Sequence, residues 1–315
     1  MVYFKVLDDG AIPVRLPSGR DVTIVVSPLF AEERVARVEI DSQDVSTADL
    51  IGLAARLCML HLRSIVNVRG SVLPSRHVSK PIIADSPIVV IAAHWEFGAA
   101  SQLEAAGILH AITGSDTSSL PVFALDDAKA ADGAAAVLLS YLPSDCHVPV
   151  LRTASREPAY EVDEEVTAQE WNARRVVYSI WDDAMTLFSA EQESMLCGLG
   201  RICGRAAGFA IAQPLAGAGL VHEHVKRMTL MANLCGKYAL PLVLVGPLEI
   251  QADEYDSLML QRSFNTLQRC VVAPLGNEGP SGAILEAALG WPDQVVEESC
   301  SAVTLRQHIA QLLKF

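Results

Sequence analysis

Residues 197–247 read CGLGRICGRAAGFAIAQPLAGAGLVHEHVKRMTLMANLCGKYALPLVLVGP. Two apolar runs, 199–203 and 207–213, flank Gly204-Arg205. Glycine takes the positive φ of a tight turn without steric cost, so the pair predicts a β-hairpin turning at Gly204-Arg205. A small-residue loop, 214–219, comes next. The periodicity that follows predicts a helix ending near Lys237-Tyr238, and 241–245 reads as a buried strand. Strand, small-residue loop, helix and strand form a frame that can aim backbone N–H groups at a developing negative charge.

Outward from this frame, 2–7, 21–27 and 33–40 read as strands. Ser46 with Asp49 resembles a capping box, followed at helical spacing by Leu50, Leu53, Ala54, Leu57 and Cys58. The β-branched run 64–68 predicts a short buried strand, 70–80 a polar loop, and 88–93 a second buried strand. Residues 94–113 predict a loop around Gly98 and then a small-residue helix carrying Glu104 and His110. A strand end at 120–125 precedes a helix starting at Asp126-Asp127. The stretch 143–165 holds three prolines and much charge and reads as a linker. Beyond it, helices are expected at 165–181, 253–269, 282–289 and 304–314, with a strand at 270–274. The same alternation on both sides predicts an α/β chain of two halves, 1–145 and 166–315, joined by 146–165.

Half of the residues are hydrophobic (51%) and 19% are charged, enough for a large core. The net charge of −13 argues against nucleic acid, whose phosphates it would repel. The seven cysteines form no C-x-x-C pair, so no zinc ribbon is expected, and their odd number fits a reducing compartment; no residue is assigned to a metal. No apolar run reaches the ~20 residues that span a bilayer, and the start MVYFKVLDDG does not read as a signal peptide. A cytoplasmic protein without membrane partners is expected.

Several segments resemble, in collinear order, the carboxyltransferase subunits of biotin-dependent acyl-CoA carboxylases. LDDAKAADGAA and LLSYLPSD (138–145) are similar to the middle of those proteins. REPAYEV (156–162), WDDAMTLFS (181–189), GLGRICGRAAGFAIAQP (198–214) and NLCGKYALPLVLV (233–245) resemble their P-Y-D-V entry, D-D-G segment, G-x-A-R hairpin and C-D-x-F-x-I-P helix end. SPIVVIAAHWEFGAAS (86–101) is similar to the strand and glycine-pair loop of their first half, TGS (113–115) to I-T-G-P, DEYDSLML to Q-E-Y, and SGAI, with Gly282, to G-G-A-Y. The resemblance implies two crotonase-like β-β-α spiral halves and an oligomer, either of this chain or with a related subunit. Each half would supply an oxyanion hole of backbone amides. The sequence departs from the pattern where Phe97-Gly98 replaces a glycine pair, where His94, Trp95 and Glu96 replace small residues, and where GPLEI (246–250) replaces D-V-P-G-F.

The resemblance places the first oxyanion hole at Phe97, Gly98 and Ala99, and the second at Gly282 and Ala283. A close strand–helix packing turn and a plain helix N-terminus are the other readings of these residues. His94, paired with Glu96, or His222 would move the proton. In a strand His222 and His224 would share a face and could bind a metal with a third ligand from elsewhere, but a solvated polar loop is the favoured reading. Lys226 and Arg227 could meet the phosphates of coenzyme A or of a phosphopantetheine arm. The expected activity is carboxyl transfer to, or decarboxylation of, an acyl thioester on coenzyme A or a carrier protein, through an enolate, in a biosynthetic setting. The departures weigh against biotin as the carboxyl carrier. Two alternatives stand beside it: a non-catalytic subunit of a carboxyltransferase-type complex, and a crotonase-like hydrolase or isomerase with Glu96 as base.

Overall fold

Alternation and unbroken apolar runs divide the strands into two kinds. Residues 21–25 alternate exposed and buried, as expected of an antiparallel strand with one wet face. Leu242–Val245 and Cys270–Ala273 are buried at every position, as expected of parallel strands covered on both faces. The computed structural model describes residues 11–29, 33–76, 83–114, 120–156, 173–188, 195–212, 222–246, 254–273, 294–295 and 302–313. The chain divides into two units, 1–148 and 149–315.

The first unit runs β1 (Ala11–Arg15), β2 (Asp21–Pro28), β3 (Arg34–Ile40), β4 (Asp44–Ser46), α1 (Thr47–Cys58), β5 (Arg63–Leu73), β6 (Ile88–Trp95), α2 (Ala99–Ala105), β7 (Leu109–Thr113), β8 (Ala124–Leu125) and α3 (Ala128–Ser140). Its sheet is ordered β1-β2-β3-β5-β6-β7-β8, with β4 on the end of β5. The β1-β2-β3 ribbon is antiparallel and every later pairing is parallel. Val38, Leu53, Leu57, Val66, Val90 and Leu103 are among the residues that fill its core.

The second unit runs α4 (Ala173–Ile180), β9 (Asp183–Leu187), β10 (Met195–Ile202), β11 (Arg205–Ala212), α5 (His222–Lys237), β12 (Leu242–Val245), α6 (Glu254–Phe264), β13 (Cys270–Ala273), β14 (Gln294–Val295) and α7 (Ala302–Leu312). Its sheet is ordered β14-β13-β12-β11-β10-β9, with β9-β10-β11 antiparallel and the rest parallel. Trp181 packs on Phe209 at 4.9 Å between ring centroids, over a core that includes Val243, Val271, Leu305 and Ile309. Both sheets therefore follow one plan: an antiparallel three-stranded ribbon, then parallel strands added in chain order.

Several expectations shift. The hairpin turns at Cys203-Gly204, one residue early, with Ile202 opposite Arg205. Both turn residues have positive φ, +50° and +76°, the pattern of a type I′ turn. Asp182 fixes that register, its carboxylate accepting from the Cys203 N–H at 3.0 Å and the Gly204 N–H at 2.8 Å. A Cβ on Gly204 would collide with the Thr153 carbonyl. The capping box forms only by half. Ser46 accepts from the Asp49 N–H at 3.1 Å, but the Asp49 carboxylate accepts from the Ser18 N–H at 2.8 Å, tying α1 to the β1-β2 turn.

β5 continues through 70–73, where a loop was expected, because a bulge between Val68 and Ser71 lets its end pair with β4. Gly70 lies so close to the Ser42 and Gln43 backbone that no side chain fits there. His110 stands on strand β7 rather than on the expected helix. Its neighbours Leu109–Thr113 hydrogen-bond along β6, which their helix-compatible composition does not reveal. His222 opens helix α5, so His222 and His224 are not on a strand face. Two positions along a helix are about 200° apart. The strand at 2–7, the helix at 282–289, the loop at 214–219 and the linker beyond 156 lie outside the described residues.

Candidate functional site

β6 is buried from Ile88 to Ala92 and turns polar at its end. Trp95 stays in the core, donating its indole N–H to the Ala111 carbonyl at 3.0 Å and meeting His110 edge-on at 5.2 Å. The Glu96 N–H donates to the Val72 carbonyl at 3.0 Å, and there the chain leaves the sheet. The Ala99 N–H returns to the Glu96 carbonyl at 2.9 Å, closing a four-residue turn. Gly98, at φ +84° and ψ −11°, holds the third position of a type II turn, which favours glycine. α2 begins at Ala99, with no side chain capping its N-terminus.

This turn decides which amides can serve an anion. The Ala99 N–H is committed to closing it. Among the described residues, the Phe97 and Gly98 amides have no hydrogen-bond partner. Among the described residues nothing lies within 4 Å of where a Gly98 side chain would sit, and Phe97 is 94% exposed. The Phe97 ring therefore projects into solvent instead of closing over the glycine. His94 Nε2 lies 3.6 Å from Glu96 Oε1, both side chains about half exposed. An imidazole and a carboxylate so placed can pass a proton at the mouth of the turn.

Gln102 on α2 fixes the turn from behind. Its Oε1 accepts from Thr47 Oγ1 at 2.5 Å and from the Ser75 N–H at 3.0 Å, while its Nε2 donates to the Ser75 carbonyl at 3.1 Å. These partners lie on α1 and on the segment after β5, and no local pattern in the sequence announces them. Gln102→Ala removes the donor to the Ser75 carbonyl, while Thr47 Oγ1 still accepts from the Ser75 N–H at 2.9 Å, so a loss of about 1–2 kcal/mol is expected. Hydrogen exchange should then rise first at 74–76 and 97–101. Unchanged protection in both segments would show that Gln102 does not anchor them.

The other expected site residues are dispersed. Lys226 on α5 is exposed, whereas Arg227 is buried, its guanidinium 3.4 Å from the Met195 carbonyl. His224 is buried, and the side chain of His222 lies outside the described residues. Gly282 and Ala283 lie outside them as well; the chain is described as far as Ala273, where β13 ends. Cys197 and Cys235 are buried on β10 and α5. Burial pushes the Cys197 thiol up to about 12 and the Cys235 thiol higher still. Both thiols therefore stay protonated, and shielded from solvent, at neutral pH. Brief iodoacetamide treatment of the native protein should label neither, while Cys146 and Cys58 react, as peptide mapping would report.

No described helix is long and apolar enough to cross a membrane. No family model matches the chain, and no curated protein does. Solved structures do. Transcarboxylase 12S, with hydrolysed methylmalonyl-coenzyme A bound, matches with a TM-score of 0.64 at 15% identity, over 93% of this chain and 81% of that one. The fold is crotonase-like. A second transcarboxylase 12S structure, described as a hexamer assembly with methylmalonyl-coenzyme A and methylmalonic acid bound, gives 0.62 at 13% identity, with the same shares covered. A single-chain, multi-domain long-chain acyl-CoA carboxylase gives 0.51 at 13% identity, over 92% of this chain and 38% of that one. At such identities the likeness is one of fold.

Proposed function

We propose that this chain acts on an acyl thioester, removing or transferring the carboxyl group of a malonyl-type substrate through an enolate. One observation carries the reading: a type II turn at the end of β6 leaves the Phe97 and Gly98 amides without hydrogen-bond partners among the described residues. The crotonase-like fold supports it, since two of the matching structures hold methylmalonyl-coenzyme A or its hydrolysed form. The thioester carbonyl oxygen lies against the two amides. The bond from the α-carbon to the carboxylate breaks, carbon dioxide leaves, and the electron pair moves into the enolate whose oxygen the amides hold. His94, oriented by Glu96, then delivers a proton to the α-carbon. Gly282 and Ala283, proposed on the sequence resemblance alone as a second pair of oxyanion donors, and His222 and Lys226, proposed as a further proton carrier and a cation for the coenzyme A phosphates, are separate candidates to test by substitution. Each well-aimed amide lowers the barrier by about 3 kcal/mol.

The test is to incubate the purified chain with malonyl- and methylmalonyl-coenzyme A and follow the thioester products by chromatography. Time-dependent conversion to the decarboxylated thioester is expected, and a His94→Ala variant should slow it. Added biotin that captures the carboxyl group would point to transfer instead. A chain that neither binds nor converts the thioesters overturns the reading. The exposed Phe97 favours a second role, as a subunit docked on an active carboxyltransferase, which predicts conversion only after mixing with that partner.

A further inference from the structure

At the opposite end of β6 from the Phe97 turn, the segment before that strand meets the loop after α3. Asp85, Cys146 and His147 each direct one ligand atom to a common point, all within 4.8 Å of one another. Cys146 Sγ is 3.9 Å from Asp85 Oδ1. Asp85 and His147 are exposed and Cys146 is partly so, which leaves the group open to solvent ions.

The loop that carries two of these side chains is held in place. The Cys146 N–H donates to the Asp85 carbonyl at 3.0 Å, joining segments 61 residues apart in sequence. The Asp145 carboxylate, itself buried, accepts from the His147 N–H at 2.9 Å and meets His61 Nδ1 at 3.0 Å. The Val148 N–H closes back on the Asp145 carbonyl at 3.1 Å. Two backbone segments and a buried carboxylate thus fix the positions from which the three ligands project.

We infer that Asp85, Cys146 and His147 form a surface binding site for a thiophilic divalent transition metal, with zinc as the best fit. A thiolate, an imidazole and a carboxylate are the donor types zinc prefers, whereas magnesium and calcium take oxygen donors. Tetrahedral zinc with bonds of about 2.0–2.3 Å separates its ligand atoms by roughly 3.3–3.8 Å. The present spacing, at most 4.8 Å and 3.9 Å between Cys146 Sγ and Asp85 Oδ1, is close to that. Water fills the fourth position. On binding, the Cys146 thiol releases its proton to solvent and its sulfur bonds the metal, with no change of oxidation state. β6 spans eight residues, roughly 26 Å at the usual strand rise, so the metal sits far from the thioester turn and acts on structure rather than on the reaction.

The test uses the full chain stripped of metal by chelator. Titration with cobalt(II) should give tetrahedral visible bands and a thiolate-to-cobalt charge-transfer band, saturating at one ion per chain. Zinc should displace the cobalt, and calorimetry should give the same stoichiometry. Cys146→Ser should abolish the charge-transfer band and, like His147→Ala, weaken zinc binding by about tenfold or more. Cys58→Ser should change neither, and circular dichroism confirms that the variants remain folded. No saturable uptake of either ion, or a charge-transfer band that survives Cys146→Ser, overturns the inference.

Discussion

Asp182→Ala is expected to lower the stability of the second unit by about 3–5 kcal/mol. Its carboxylate is 2% exposed and lies 2.7 Å from the Arg306 guanidinium, itself 12% exposed. The same carboxylate accepts from three backbone N–H groups, those of Cys203, Gly204 and Arg156, at 3.0, 2.8 and 3.2 Å. Alanine strands all three and leaves a largely buried guanidinium whose remaining acceptors among the described residues are the Ile180 and Arg156 carbonyls, each at 2.8 Å, and the Cys203 sulfur at 4.0 Å. Breaking such a pair from one side costs far more than the intact pair contributes, because a charge is left in the interior. The turn it holds is costly in its own right, since Cys203 is a non-glycine residue at φ +50°. A loss of this size is a large fraction of the 5–15 kcal/mol that stabilises a typical domain. Urea unfolding followed by tryptophan fluorescence and circular dichroism would measure it. Asp182→Asn, which keeps an acceptor oxygen, should cost less. Equal and small losses in both variants would contradict the role given to the carboxylate.

The second large effect separates an amide from a side chain at one position. Phe97→Pro removes the Phe97 N–H, while Phe97→Ala keeps it. Proline is favoured at the second position of a type II turn, and the Phe97 amide makes no hydrogen bond among the described residues. The ring is 94% exposed, so neither change removes packing. Both variants should fold with nearly unchanged stability. In the thioester assay Phe97→Pro should lower kcat by about 10²–10³-fold, the loss expected for one oxyanion donor. Phe97→Ala should leave kcat within a few-fold of the parent. Equal rates for the two variants would remove the amide from the reaction. A fall in both would assign the role to the aromatic ring.

The parts legible in the sequence were those written in local patterns. The β10-β11 hairpin, the Ser46 cap, the buried strands β6, β12 and β13, and the Asp127 start of α3 follow from periodicity and capping chemistry, and the structure contains all of them. Gly98 marked a turn, and the turn is there. What escaped is set by distant partners. The hairpin slipped by one residue because Asp182 captures the Cys203 and Gly204 amides. β5 ran on past Val68 because β4 lies beside it, and 109–113 became a strand because β6 offered an edge. Nothing in the spelling of Phe97-Gly98-Ala99 says that the third amide closes the turn and leaves the first two. The Asp85, Cys146 and His147 cluster spans two segments that only the fold brings together.

The winding of the two sheets bears on how the chain is made. Among the described residues, each strand after the first of its sheet, except the short β4, pairs with a strand next to it or next but one before it in sequence, so none of these strands waits for a distant mate. Loop-closure entropy is then small at each step, which speeds folding. As the nascent chain leaves the ribosome, the first sheet can be complete once residue 125 has emerged, before any of the second sheet has been synthesised.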